Sequence, residues 1–287
     1  MSCAQVRVSG AHLHLDFVDP PGPSERPPLV MLHGGPGADS RYLRPQLDRL
    51  AALGAGRRLV YYDQRGAERS PLDDGIAAGG YPVHVEDLDA VRSFLGVPKL
   101  SLCGYSWGGL LALLYATRFP ERVARLVLIA PAPAHHAYRA QLAQNMAASP
   151  ARPAVVALRQ ELLGDPTGVD AATLRQRRFA LAVAGYFVDP RRALELTPFR
   201  VQQRLEEAIW RSLADYDLRP QLPKLRGVPA LIVHGIQDVI PLASAEETAA
   251  LMGAQLVRLD GCGHVPYIEA AQPLLAAADE FLAATGG

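Results

Sequence analysis

The chain has 287 residues, 49% of them hydrophobic and 20% charged. That is enough for one large α/β domain with room for an insertion, and too apolar for a disordered chain. No uncharged run reaches the length of a membrane span, so a soluble globular protein is expected. Lys plus Arg and Asp plus Glu are 29 each. With no net field to gather nucleic acid or an anionic bilayer, neither is expected as a partner. The opening residues Met1 to Arg7 lack a basic stretch followed by an apolar run, so no secretory signal is expected and the cytoplasm is the expected location. Cys3, Cys103 and Cys262 form no C-x-x-C pair and no zinc-type spacing with histidine, which argues against a disulfide framework and a structural metal.

Along the chain, residues 4–8 and 12–18 alternate apolar and polar around Ser9-Gly10 and predict an antiparallel hairpin with one wet face, at the edge of a sheet. The runs Pro28–His33, Arg57–Asp63, Lys99–Cys103, Ala124–Ala130, Val228–His234 and Gln255–Leu259 are short and nearly continuously apolar, as parallel strands covered on both faces are. Helical patterns fall between them over 40–53, 84–96, 107–118, 244–252 and 268–284. Alternating strand and helix predicts a mostly parallel, doubly wound α/β sheet. From Ala132 to Arg226 the alternation stops. Helical stretches over His135–Ala148, Ala154–Leu163, Thr173–Tyr186 and Phe199–Leu213, separated by prolines, predict a helical insertion over one edge of the sheet. The expected organisation is therefore a core of residues 1–131 and 227–287 and a helical cap of residues 132–226.

The chemistry is concentrated at predicted strand ends. Lys99–Cys103 leads into Gly104-Tyr105-Ser106-Trp107-Gly108-Gly109 and then a helix, which puts a G-x-S-x-G string at the strand-to-helix turn it requires. Glycines at 104 and 108 would let Ser106 project its hydroxyl above the sheet. The Trp107 amide, at the helix start, would lack an intrahelical acceptor and could donate to a developing oxyanion. A serine hydroxyl needs a base, and the base an acid. Asp238 follows the strand ending at His234, and His264 follows the strand ending at Leu259, in the chain order Ser, Asp, His that suits such a sheet. Asp260 is a fallback acid, and His135, His136 and His234 are read as surface or core-edge residues. His33-Gly34-Gly35-Pro36-Gly37 follows an earlier strand, and its glycines would let a second backbone N–H approach the substrate carbonyl. No phosphate-binding glycine pattern occurs around this turn.

Taken together with Asp63-Gln64-Arg65-Gly66, these motifs resemble the α/β-hydrolase fold and, within it, the proline iminopeptidase family, over nearly the whole chain. The resemblance implies Ser106 as nucleophile, His264 as general base and then acid, Asp238 as the orienting acid and the amides of Gly35 and Trp107 as the oxyanion hole, with no metal or organic cofactor. It implies that residues 63–66 buttress the site, although the family's pattern continues with a glycine two positions after Gly66, where this chain has Glu68. It also implies cap glutamates that bind the free amino end of a small peptide beside an apolar pocket. Glu206 and Glu207 are the first candidates and Glu195 the next, with Tyr105 and Trp210 as further substrate contacts. A carboxylesterase or lactone hydrolase with the same triad is an alternative, and a non-catalytic ligand-binding protein on this scaffold is a second.

Overall fold

A computed structural model describes residues 2–53, 56–75, 77, 79–164 and 168–284. Eight strands form one sheet: β1 (Ser2–Val8), β2 (Ala11–Val18), β3 (Leu29–Leu32), β4 (Leu59–Asp63), β5 (Leu100–Tyr105), β6 (Val123–Ile129), β7 (Ala230–Gly235) and β8 (Gln255–Leu259). Their order is β1-β2-β4-β3-β5-β6-β7-β8. The expected hairpin is present at one edge, with β1 antiparallel to β2 and β2 antiparallel to β4; every other pairing is parallel.

The near-continuous apolar runs have the cause expected of them. In β3, Val30 and Leu32 point into one core while Leu29 and Met31 point into the other, because successive side chains leave opposite faces of a strand and both faces are covered. One face is covered by α1 (Tyr81–Phe94) and α2 (Trp107–Arg118), through Val85, Leu88, Leu110 and Leu113. Leu47 and Leu50 lie on the other. β8 is an exception. As an edge strand it is largely open to solvent until Leu259, so an apolar sequence there did not mean burial on both faces.

Between β6 and β7 the chain forms α3 (Arg139–Ala148), α4 (Pro153–Leu162), α5 (Ala171–Val183) and α6 (Gln203–Leu213). The two ends of this segment are tied together where it leaves the sheet: His135 bridges Asp217, Leu218 N donates to Ala134 O at 2.9 Å, and His136 N donates to Tyr216 O at 3.0 Å. The edge over which this segment lies is the one formed by the strands' carboxyl ends. Its side chains join both cores, Leu205, Ile209 and Leu213 of α6 on one face and Val183, Phe187 and Leu196 on the other, which centres it over the carboxyl ends of the middle strands. After β7 come α7 (Leu242–Met252), α8 (Pro266–Glu269) and α9 (Ala271–Ala283), the last packing Leu274 and Phe281 into the second core.

Two predicted helices are broken. Residues 40–53 form two short 3₁₀ segments, Ser40–Leu43 and Leu47–Ala52, on either side of Pro45, which has no N–H to continue a helical ladder. The helix expected over 268–284 starts at Pro266 and is interrupted at Ala270, whose backbone leaves the helical region. Among the described residues no helix is long and apolar enough to cross a membrane. Cys3 is exposed, Cys103 and Cys262 are buried, and all three are free.

A buried ion pair fixes α1 to the sheet edge. Arg65 Nε and Nη2 donate to the two oxygens of Asp87 at 2.8 and 2.7 Å, and Nη2 also reaches Ser9 O at 2.9 Å. Removing one partner strands the other charge away from water. Asp87→Ala is expected to lower stability by about 3–5 kcal/mol, read from the denaturant midpoint of the purified protein.

Candidate active site

The turn from β5 into α2 is built by exclusion of side chains. A Cβ on Gly104 would lie 2.3 Å from Gly108 O, and one on Gly108 would lie 2.2 Å from Leu32 O. Backbone occupies both places, so only glycine fits. Between them Ser106 has φ 53° and ψ −117°, a region that a residue with a side chain rarely adopts. Four hydrogen bonds hold it there: Ser106 N donates to Ile129 O at 3.0 Å, and Ser106 O accepts from Gly109 N at 2.9 Å, Leu110 N at 3.3 Å and Ala132 N at 2.9 Å. The result is a hydroxyl raised above the strand ends.

Three distant side chains meet at that hydroxyl. His264 Nε2 lies 3.0 Å from Ser106 Oγ, and His264 Nδ1 lies 3.0 Å from Asp238 Oδ2. A carboxylate only accepts, so Nδ1 carries the proton and Nε2 presents a lone pair to the serine O–H. Asp238 is held in turn by Ile240 N, which donates to its Oδ1 at 2.8 Å, and buried His234 places Nε2 3.5 Å from its Oδ2. The other sequence candidates stand elsewhere. Asp260 is exposed and accepts from Gln237 Nε2 at 2.9 Å, and His135 pairs with Glu247 at 2.7 Å.

The loop after β3 approaches Ser106 as closely as packing permits. A Cβ on Gly34 would sit 2.9 Å from Ser106 Cβ, and Gly35 has φ +49°. Among the described residues the amides of Gly35 and Trp107 have no protein acceptor, the latter because it opens α2. One buried side chain links the two loops that carry them. Gln64 Nε2 donates to His33 O at 2.9 Å and Gln64 Oε1 accepts from Trp107 Nε1 at 2.7 Å, while Gln64 N donates to His33 Nε2 at 3.1 Å. Burial lowers the pKa of His33 and keeps its ring neutral, as an acceptor at Nε2 must be. The turn that follows closes normally, with Gly66 N donating to Ser70 O at 2.8 Å. Glu68 points outward to Arg41, so the departure at this position leaves the loop intact.

Ser106 and His264 open into a cavity of about 120 Å³ with Gly35, Tyr105, Phe199, Val201 and Glu206 among its walls. Glu206 is half-buried, and among the described residues its carboxylate has no ion pair or hydrogen bond. Burial, followed by repulsion from Glu207, raises its pKa. Tyr105 lines the cavity and packs its ring 5.3 Å from that of His264. The remaining candidates do not reach it. Glu207 is exposed on α6, Glu195 is exposed and paired with Arg192 at 2.8 Å, and Trp210 lies behind the site with its ring 5.6 Å from that of Trp107. Among the described residues no three His, Cys, Asp or Glu side chains gather as a metal-ligand set.

Tyr186 and Glu269 are among the residues of the site that were not singled out from the sequence. Tyr186, at the end of the helical stretch predicted over 173–186, accepts from His264 N through its carbonyl at 2.7 Å and packs its ring 5.4 Å from that of His264. Glu269 accepts from Gly263 N at 2.7 Å with one oxygen, and from Val188 N at 2.7 Å and Asp189 N at 3.2 Å with the other. Burial raises its pKa even against these donors. An acid five residues after His264 carries no local signal of this role, because two of its three partners, Val188 and Asp189, lie about eighty positions away.

The chain belongs to the α/β-hydrolase fold family, whose model matches residues 27–271. Within it the chain resembles proline iminopeptidases. It is 29% identical over 279 residues to the proline iminopeptidase of Lactobacillus helveticus, covering 90% of each chain. It is 30% identical over 258 residues to that of Lactiplantibacillus plantarum, covering 86% of this chain and 88% of the relative. Among solved structures, a proline iminopeptidase-related protein from Thermus thermophilus superposes with a TM-score of 0.73 at 27% identity, over 98% of this chain and 97% of that one.

Glu269 offers carboxylate oxygens to three N–H donors, and a glutamine there would turn an NH₂ group toward one of them. Glu269→Gln is therefore expected to lower kcat by about 10- to 100-fold through misplacement of His264, with a smaller change in KM, as steady-state assays on a reactive ester will read.

Proposed function

We propose that the protein is a serine hydrolase that releases an N-terminal residue, proline above all, from short peptides or amides. The observation that carries this reading is the unpaired, half-buried carboxylate of Glu206 in the same largely apolar cavity as Ser106 and His264. An anion without a partner is costly in such a place unless a cation arrives with the substrate, and the charged amino end of a peptide is such a cation. A neutral ester would leave Glu206 unmatched, which favours the peptide over the carboxylesterase or lactone reading.

In the proposed reaction His264 Nε2 takes the Ser106 proton as Oγ attacks the carbonyl carbon. Asp238 stabilises the imidazolium. The amides of Gly35 and Trp107 receive the oxyanion, and His264 returns the proton to the leaving nitrogen. Water, deprotonated by His264, then attacks the acyl-enzyme and restores Ser106. Residues 132–226 act as the cap that selects the acyl group, since they supply Glu206, Tyr186, Phe199 and Val201 to the cavity.

Ser106→Ala should lose at least about 10,000-fold in kcat on a prolyl-arylamide and all labelling by a fluorophosphonate; retention of wild-type turnover would end the reading. Glu206→Gln should lower kcat/KM on the arylamide by about 30-fold and on a short acyl p-nitrophenyl ester far less, and equal losses would exclude the amine-binding role.

The pH dependence has a definite sign. Because the pKa of Glu206 is raised by burial, falling pH protonates it before an ordinary glutamate of pKa 4.5 and removes the charge that holds the amine. KM for the arylamide should therefore rise on the acid side, and Glu206→Gln should flatten that rise. The nearby groups that bear on this titration are Glu207, which raises the pKa of Glu206 by repulsion, and Tyr186, a neutral hydroxyl whose own pKa burial and the charge of Glu206 push up.

A further inference from the structure

A second cavity adjoins the first across one side chain. Along the segment that leads into α6, Phe199 and Val201 face the cavity of Ser106, while the intervening Arg200 and the next residue Gln202 line a separate cavity of about 280 Å³ together with Gly37, Ala38, Asp39 and Glu68. Val201 belongs to both and is the wall between them. The segment is fixed against the loop that carries Gly35: Gln202 N donates to Gly37 O at 3.1 Å, and a Cβ on Gly37 would lie 3.0 Å from Gln202 O. The outer cavity therefore stands beside the loop that carries Gly35.

Its charges are unequally committed. Both Asp39 oxygens take Arg41, at 3.0 and 2.8 Å, and Glu68 takes the same guanidinium at 2.5 Å. Arg200 is exposed and, among the described residues, its side chain has no ion pair and no hydrogen bond. It is the cation of this cavity left available to a ligand. An exposed guanidinium with five donors in a planar fork is suited to a carboxylate.

We propose that the outer cavity receives the leaving-group side of the substrate and that Arg200 reads its free carboxylate, which makes short peptides with an unblocked C-terminus the preferred substrates. The proposal rests on the peptidase reading above. With the acyl residue held at Glu206 and its carbonyl oxygen on the amides of Gly35 and Trp107, the leaving amine stays beside His264, which protonates it, and in this proposal the chain beyond it crosses over Val201 to bring its carboxylate to Arg200. A neutral end would forgo that contact.

The test compares prolyl-alanine with prolyl-alaninamide, with a prolyl-arylamide as reference. Wild-type enzyme is expected to favour the free acid by about 5-fold in kcat/KM at low salt, with the preference shrinking in about 0.5 M salt because the pair is exposed. Arg200→Gln should bring the acid-to-amide ratio to about 1, and Arg200→Lys, which keeps the charge but not the fork, should retain part of it. The ratio is internal to each variant, so a loss of folded enzyme cancels. A wild-type ratio of about 1 or below, the outcome if Asp39 and Glu68 dominate the cavity, overturns the proposal, as does an unchanged ratio in Arg200→Gln. Loss of the peptidase reading has a different signature: the arylamide and both peptides would be inert while an ester is turned over, and the role of Arg200 would fall with it.

Discussion

The absence of four β-carbons lets the ends of this sheet come together. At Gly104 and Gly108 a side chain would collide with backbone of the elbow and of β3, and at Gly235 and Gly263 it would lie 2.3 Å from the carbonyls of Cys262 and Tyr186. Those contacts bring strand β5, helix α2, the loop after β8 and the segment between β6 and β7 to within hydrogen-bond reach of one point. The energetic cost is a strained backbone at Ser106, which four hydrogen bonds from separate parts of the chain over-determine. Everything proposed about chemistry presupposes this convergence.

The helical segment is coupled to the site. His264 N is bonded to the carbonyl of Tyr186, and Glu269 joins Gly263 to Val188 and Asp189, so the loop bearing the histidine and the segment facing it are one hydrogen-bonded unit. The same segment supplies Glu206 to the cavity and Val201 as the wall between the two cavities. Neighbouring stretches of one insertion thus line the cavity of Ser106 and hold the loop that carries His264. Gln64 likewise ties the loop after β3 to the start of α2, joining His33 to Trp107 through a single buried amide. Neither residue lines the cavity of Ser106; both are bonded to groups that adjoin it.

Much of this was legible before any fold was known, and for identifiable reasons. Strand and helix alternation, the hairpin at the edge and the placement of Gly104 to Gly109 at a strand-to-helix turn are local patterns, and local patterns survive in sequence. Ser106, Asp238 and His264, which meet in the structure, could be picked out because each follows a strand's carboxyl end. The failures were of another kind. Residues 40–53 have a helical spacing that Pro45 interrupts, and β8 reads as buried because an apolar run does not reveal that its strand is last in the sheet. Glu206 and Glu207, placed ahead of Glu195, could not be told apart from sequence, since they are neighbours in one helical stretch and only the packing of α6 turns one of them inward.

The linear chain was sufficient for the α/β class, for the order of the sheet's chemistry-bearing loops and for the residue types that could form a nucleophile, a base and an acid, because these depend on periodicity and on which residues end a strand. Folding alone decided that the imidazole faces the serine at 3.0 Å, that Glu269 and Gln64 brace the loops around it, and that Glu206 and Arg200 look into adjoining cavities. Those relations join residues far apart along the polypeptide, and no spacing rule records a contact that exists only after both cores have closed.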